Sequence, residues 1–218
     1  MSLTETMTSI WGPLGWMTLH SVSTSYPENP TQTEKQLVNS WLDMFKDTIT
    51  CPHCKEHFGI MLYKYRTRFT GFLNSRQEFA MFVFRAHNAV NARLHKPVYS
   101  TLAECMEVLK TNTKTRTPAD YRMSYVNHIT RYWRTIQDIS GIVALKKVNE
   151  MRKIEMEYFS RIDTKFDVEL KDDLVVIPRN WVEDGLHSEP IPQQPSVFLG
   201  NSNARAGFRI VGGRMRLR

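Results

Sequence analysis

Cysteine is scarce in this chain, with three residues in 218. That is too few for a disulfide scaffold, and the odd number leaves at least one thiol unpaired or intermolecular. Long apolar runs are missing as well. No stretch approaches the ~18 residues that a membrane-spanning helix needs. Met1 to Ile10 holds no basic region followed by an apolar segment, so a secretory signal is not expected. It also lacks the arginines of a mitochondrial transit peptide. Internal repeats are absent, and strand-like alternation is absent through residue 110. What remains is ordinary globular composition, 41% hydrophobic and 11% aromatic, in a chain long enough for one or two domains with a substantial core. The net charge of +7 is uneven: residues 1–110 carry +2 and residues 111–218 carry +5. Residues 201–218, with five arginines and no acid, supply that +5 by themselves. Such an end is either a solvated tail or a device for docking on an acidic protein surface or nucleic acid. No interleaved aromatics support specific nucleic-acid reading.

Among the few cysteines, two stand together in Cys51-Pro52-His53-Cys54. A CxxC is half a metal site, a redox pair, or two inert buried thiols. Pro52 suits the first position of a helix, where its missing N–H would have no partner. Phe58, Met61, Leu62 and Tyr65 then recur at helical spacing, so Lys55 to Tyr65 is expected to be a helix. Cys51 should sit at its N-terminus and Cys54 in its first turn. The positive end of the helix dipole favours a thiolate there, as would charge on His53 or Lys55. Zinc needs about four ligands, and the chain has no second CxxC. A redox pair without export signals points to a cytosolic protein, or to one carried in a particle assembled in the cytosol.

The rest of the first half is helical. Gly12-Pro13 is expected to open a helix to about Ser25, with Trp16 and His20 on one face. Thr33 to Gln36 fits a capping box for a second helix, ending near Thr48, with Leu37, Trp41, Met44, Phe45 and Thr48 inward. Ser75 to Glu78 fits another, opening a helix to Leu94 with Phe79, Phe82, Val83, Ala86 and Val90 inward. Its far end turns polar: His87, Asn91 and Leu94 form one stripe beside Asn88. Thr101 caps a short helix to about Lys110, where Cys105 reads as a buried small hydrophobe. Four long helices and a short fifth make a bundle. After a polar linker, Pro118 to Ile136 and Val143 to Ile162 read as two helices with a turn at Ser140-Gly141. They suit a helical hairpin or a three-helix satellite. Leu174 to Ile177 suits a short strand. Residues 183–218 are expected to be a flexible basic tail. The expected fold is therefore all-α, with units at 1–110, 111–182 and 183–218.

Trp11-Gly12, Trp16, Leu19-His20, the CxxC, and the run from His87-Asn88-Ala89-Val90-Asn91 to Leu94-His95-Lys96-Pro97 occur in that order. In this combination the chain resembles the FAD-linked sulfhydryl oxidases of the Erv/ALR family over roughly residues 8–110. The resemblance implies a four-helix bundle holding FAD beside the CxxC. It implies that Cys51 exchanges with a substrate dithiol, and that Cys54 passes electrons to the flavin and on to O2, yielding hydrogen peroxide. Trp11, Gly12, Trp16, His20, His87, Asn88, Val90, Asn91, Leu94, Lys96 and Tyr99 would line the cofactor. No metal is implied. A homodimer is implied by the same analogy.

Two departures stand out. The family's C-x16-C pair would need cysteines where this chain has Thr101 and Pro118, and there is no second, shuttle pair. Clients would then be oxidised directly, or through a small thiol-carrier protein. With no targeting segment and an unmatched helical extension, the chain looks most like the enzymes of large cytoplasmic DNA viruses, placed in the viral factory or virion and not secreted. Three other readings stay open: a thioredoxin-like exchanger, which would need a strand before the CxxC; a zinc module built from Cys51, Cys54, His57 and His87; and a catalytically silent bundle that uses residues 111–218 for assembly.

Overall fold

A computed structural model of the chain describes residues 3–112, 114, 116–162, 208–211 and 214–217. Seven α-helices carry the described fold: α1 Leu3–Ser25, α2 Gln32–Thr48, α3 Pro52–Arg68, α4 Arg76–Arg93, α5 Leu102–Asn112, α6 Pro118–Thr135 and α7 Ile139–Glu157. A short 3-10 turn follows at Phe159–Arg161. The all-α bundle expected from the sequence is what the chain forms. In addition, β1 Phe208–Val211 and β2 Arg214–Leu217 pair antiparallel as a hairpin within the basic end, where no regular structure was expected. The expected strand at Leu174 to Ile177 lies outside the described residues.

The caps explain most helix starts. Thr31, not Thr33, is the N-cap of α2: its hydroxyl accepts from Glu34 N–H, and the Glu34 carboxylate accepts from Thr31 N–H. The box is two residues earlier than the sequence suggested because Glu34, rather than Gln36, reaches back. Ser75 caps α4 through Glu78 N–H, and Thr101 receives Glu104 N–H ahead of α5. Thr117 and Asp120 form a full capping box on α6. Helix α1 begins at Leu3 and carries Pro13 inside it, so Gly12-Pro13 does not open the helix. A proline removes its own N–H bond and its ring crowds the carbonyl one turn before, and the packed remainder of α1 absorbs that cost. Helix α7 also begins earlier than expected. Asp138 caps it through Gly141 N–H, so Ser140-Gly141 lies in its first turn. Gly141 is required there by crowding: a Cβ would stand 2.1 Å from the Ile136 carbonyl oxygen.

Helix α4 is central and buried nearly all round. Phe79, Phe82, Val83 and Ala86 face the main core with Leu19, Leu42, Phe58, Met61 and Tyr65. Met81 and Phe84 face a smaller core with Leu102, Cys105, Met106 and Leu109 of α5. Each large side chain so buried contributes on the order of 1.5–3 kcal/mol. The extension after residue 117 does not stand apart as a satellite. Tyr125, Val126 and Ile129 of α6, with Val148 and Met151 of α7, lie in the main core. Phe45 stacks on Tyr125 at 5.0 Å and Trp41 meets Phe159 edge-on at 6.4 Å. The small face of α1 makes this closeness possible, for Thr18, Ser21 and Ser25 are buried, and Thr18 Oγ1 donates to the Tyr121 carbonyl at 3.2 Å.

Candidate functional site

Cys51 is the N-cap of α3, Pro52 its first residue, and Cys54 lies in its first turn. The sulfurs are joined in a disulfide with Cα atoms 5.2 Å apart. Cys51 Sγ also accepts the Cys54 N–H at 3.3 Å, so the sulfur takes the place of a capping oxygen. Both cysteines are half-buried and pack against the main core. On α3, Cys54 and Phe58 are four apart and share a face. The Phe58 ring meets Trp16 of α1 edge-on at 6.5 Å. The face that carries Cys54 is therefore the face that looks toward Trp16.

Trp16 lies flat on His87 of α4, with ring centres 4.4 Å apart and planes within 8°. His87 Nδ1 and His20 Nε2 are 3.1 Å apart, so one donates and the other accepts. Burial, and then His87, hold the His20 pKa well below its ordinary value. Burial, and then the charge of Lys96, bring His87 down to about 4. His57, buried one turn after Cys54, is likewise brought to about 4 by burial, then by Arg93 and His53. The Trp16–His87–His20 cluster is thus aromatic and uncharged at neutral pH. Cys105 stands apart in the smaller core, its pKa pushed up to about 12 by burial, and stays a protonated thiol.

The other expected residues divide. Trp11 and Val90 pack against the same core, and the indole N–H of Trp11 is buried without an acceptor among the described residues. Gly12 has open space around it. Asn88 and Tyr99 engage each other: the Asn88 amide donates to the Tyr99 carbonyl at 2.7 Å, and its oxygen accepts Tyr99 N–H at 3.1 Å. Asn91 receives Lys96 N–H on its backbone carbonyl at 2.8 Å, and His95 takes a φ of 54° to close that turn. Leu94 and Lys96 are exposed at the end of α4. The zinc reading required Cys51, Cys54, His57 and His87 to converge. Instead the two sulfurs are bonded to each other and His87 is paired with His20 and Trp16. The thioredoxin-like reading required a strand before Cys51, where α2 lies.

Two site residues escaped sequence reasoning. Phe58 was read as core only, yet it joins the CxxC helix to Trp16. Arg93 was assigned no role by the sequence. Its guanidinium donates to His53 Nε2 at 3.1 Å, which puts a cation beside the CxxC. Its spacing from His53, forty residues, gave no local signal.

A sequence model described as the Erv1/Alr family matches residues 14–118. A protein of African swine fever virus named FAD-linked sulfhydryl oxidase is 32% identical over 90 residues, covering 41% of this chain and 72% of that protein. A relative from Invertebrate iridescent virus 3 is 32% identical over 88 residues, covering 40% of this chain and 58% of its own length. This chain therefore spans somewhat under two thirds of one of these relatives and somewhat more of the other. Among solved structures, the crystal structure of the yeast Erv1 core aligns at 30% identity and a TM-score of 0.38, over 49% of this chain and 82% of that one.

Proposed function

The chain belongs to the Erv1/Alr family, and on that premise we propose that it is an FAD-linked sulfhydryl oxidase that places disulfides in client proteins. One observation carries the reading: the Cys51–Cys54 disulfide caps α3, and the face bearing Cys54 runs through Phe58 to the flat Trp16–His87 stack. The residues present fit a flavin. Trp16 and His87 offer aromatic surface kept neutral by burial, and the buried Trp11 N–H needs an acceptor. Trp11, Gly12, Trp16, His20, His87, Val90, Asn91, Leu94 and Lys96 would hold the cofactor. Asn88 and Tyr99 would act through each other by shaping the turn after α4. When bound, FAD accepts the electron pair of the reduced cysteines and delivers it to O2, giving hydrogen peroxide.

The chain's own chemistry follows from the cap. A client thiolate attacks Cys51 Sγ, the Cys51–Cys54 bond breaks, and Cys54 leaves as a thiolate. The first-turn N–H groups and the helix dipole stabilise that thiolate. The client's second thiolate then attacks its sulfur bound to Cys51, forming the client disulfide and freeing Cys51. The client loses two electrons and two protons in all, and the cysteine pair receives the electrons. His20 and His87, paired and uncharged, keep the wall beside Cys54 in place without adding a competing acid.

Clients are dithiol proteins or a small thiol carrier, since the chain has three cysteines and so no shuttle pair. No described helix is long and apolar enough to cross a membrane. The viral relatives support work in the factory or particle of a large DNA virus. A homodimer is expected from the family, and light scattering that gave a monomer at micromolar concentration would refute it. No observation favours a catalytically silent bundle. The deciding experiment uses purified protein that is yellow, with absorbance near ~450 nm released on denaturation. Cys54→Ser should keep the colour and lose dithiol-dependent oxygen consumption. A colourless protein, or unchanged oxygen consumption in Cys51→Ser and Cys54→Ser, would remove the reading.

A further inference from the structure

Helix α7 lies antiparallel on α2. Tyr158 OH donates to Glu34 at the start of α2 at 3.0 Å, while Lys147 pairs with Asp47 at its end. Toward its N-terminus α7 continues from Lys147 to Ile139, eight residues or about 12 Å of helix, beyond the point where α2 stops. Trp133, near the end of α6, donates to the Thr48 carbonyl at 2.9 Å, so both arms of the α6–α7 hairpin reach this same end. It is the end where the chain enters Cys51. Lys55, one turn past that cap, donates to the Asp47 carbonyl at 3.1 Å. The hairpin tip and the disulfide thus flank one carboxylate-bearing residue, Asp47.

Ile139, Val143 and Lys147 are spaced four apart and share the α7 face that meets Asp47. Lys147 is grounded on α2, whereas Val143 and Ile139 overhang its end and Ile142 lies beside them. These three are 47%, 80% and 68% exposed for Val143, Ile139 and Ile142 in turn, a contiguous apolar patch on an otherwise amphipathic helix. Its border on the α2 side is basic. Lys46, Lys55 and Lys147 converge on Asp47, and Asp43 is matched by Arg66. Asp138, exposed next to Ile139, is engaged as the cap of α7, accepting from Gly141 N–H and Ser140 Oγ.

We propose that the α6–α7 tip is the client-docking platform of the oxidase, and that it takes apolar segments flanked by acidic residues, holding their dithiol against Cys51. The proposal rests on the oxidase reading, because the platform serves that disulfide. Charge complementarity draws the client's acids to the lysines, and the isoleucines and valine bury its apolar side chains. The extension then replaces, in space, the substrate selection that a second cysteine pair would otherwise provide.

The test uses the full-length, flavin-loaded protein and its Ile139→Ser/Ile142→Ser/Val143→Ser variant. Substrates are dithiothreitol and two synthetic CxxC peptides, one rich in Leu and Glu, the other with Lys in place of Glu. The variant should raise the KM for the Leu/Glu peptide about tenfold and leave dithiothreitol turnover unchanged. The wild type should favour the Glu peptide over the Lys peptide. Fluorescence anisotropy with Ser-for-Cys versions of both peptides should show the same order without chemistry. Peptide KM and binding unchanged in the variant, with both proteins oxidising dithiothreitol, would overturn the platform. A wild-type dimer that the variant turns into a monomer would assign it to a second copy instead. Should the wild type fail on dithiothreitol, the oxidase reading falls, and anisotropy still decides the platform.

Discussion

Burial leaves His87 and His57 uncharged at neutral pH, and that gives the protein an acid sensitivity. Their folded pKa values are about 4, below the ordinary 6.5. Between those values the unfolded chain binds protons that the folded chain refuses, so stability is intact above pH 6.5 and declines as pH falls toward 4. His87, the more deeply enclosed, contributes on the order of 3 kcal/mol of that decline and His57 less, because solvent screens it more. Melting temperature should therefore drop steeply between those limits, and His57→Gln should flatten part of the slope; a melting curve indifferent to pH across the window would contradict the buried neutral pair. Asn88 makes a second residue-scale prediction. Its amide satisfies both backbone groups of Tyr99, so Asn88→Ala should lose about 1–2 kcal/mol in urea unfolding. If the same variant bound flavin as tightly as the parent, the turn after α4 would not shape the site.

At the scale of elements, one buried ion pair joins the two arms of the hairpin, and its arginine ties them to α1. Arg122 of α6 meets Glu155 of α7 through two contacts, at 2.7 and 3.0 Å, and reaches Ser25 of α1 at 3.1 Å. Both side chains are about 95% or more buried. Glu155→Gln leaves the guanidinium without its counter-charge and should destabilise by about 3 kcal/mol or more. The double change Arg122→Met/Glu155→Leu should recover most of that loss, since desolvating a pair offsets much of its attraction. Urea midpoints for the two variants decide it: equal losses would mean the charges act independently. Helix α4 shows the complementary case. Its inward stripe was readable from Phe79 to Val90, but Met81 and Phe84 on the opposite side were not, because their partner α5 is contributed by a later segment.

Taken whole, the chain should not survive division at the end of α5. A chain ending at Lys110 would uncover Phe45, Trp41 and Thr48, with Thr18 and Ser25 of α1, which α6, α7 and the 3-10 turn cover. Several buried side chains at roughly 1.5–3 kcal/mol each rival the whole stability of a domain, about 5–15 kcal/mol. Size-exclusion chromatography of that fragment should show aggregate, and circular dichroism a loss of helix. A monomeric, helical fragment with normal turnover would restore the idea of a separable extension.

What the sequence determined by itself is local or periodic. The caps of α4 and α5, the inward stripes of α2, α3 and α4, and the CxxC at a helix start all follow from side chains within a few positions of one another. Family likeness added the cofactor. Only tertiary structure decided that the serines and threonines of α1 are core, that Gly141 is a point of close approach, and that Phe58 and Arg93 belong to the site. It alone brought the α6–α7 hairpin to the end of α2 that leads into Cys51. Each of these depends on contacts between segments tens of residues apart, and side-chain periodicity records which face of a helix is buried without recording what covers it.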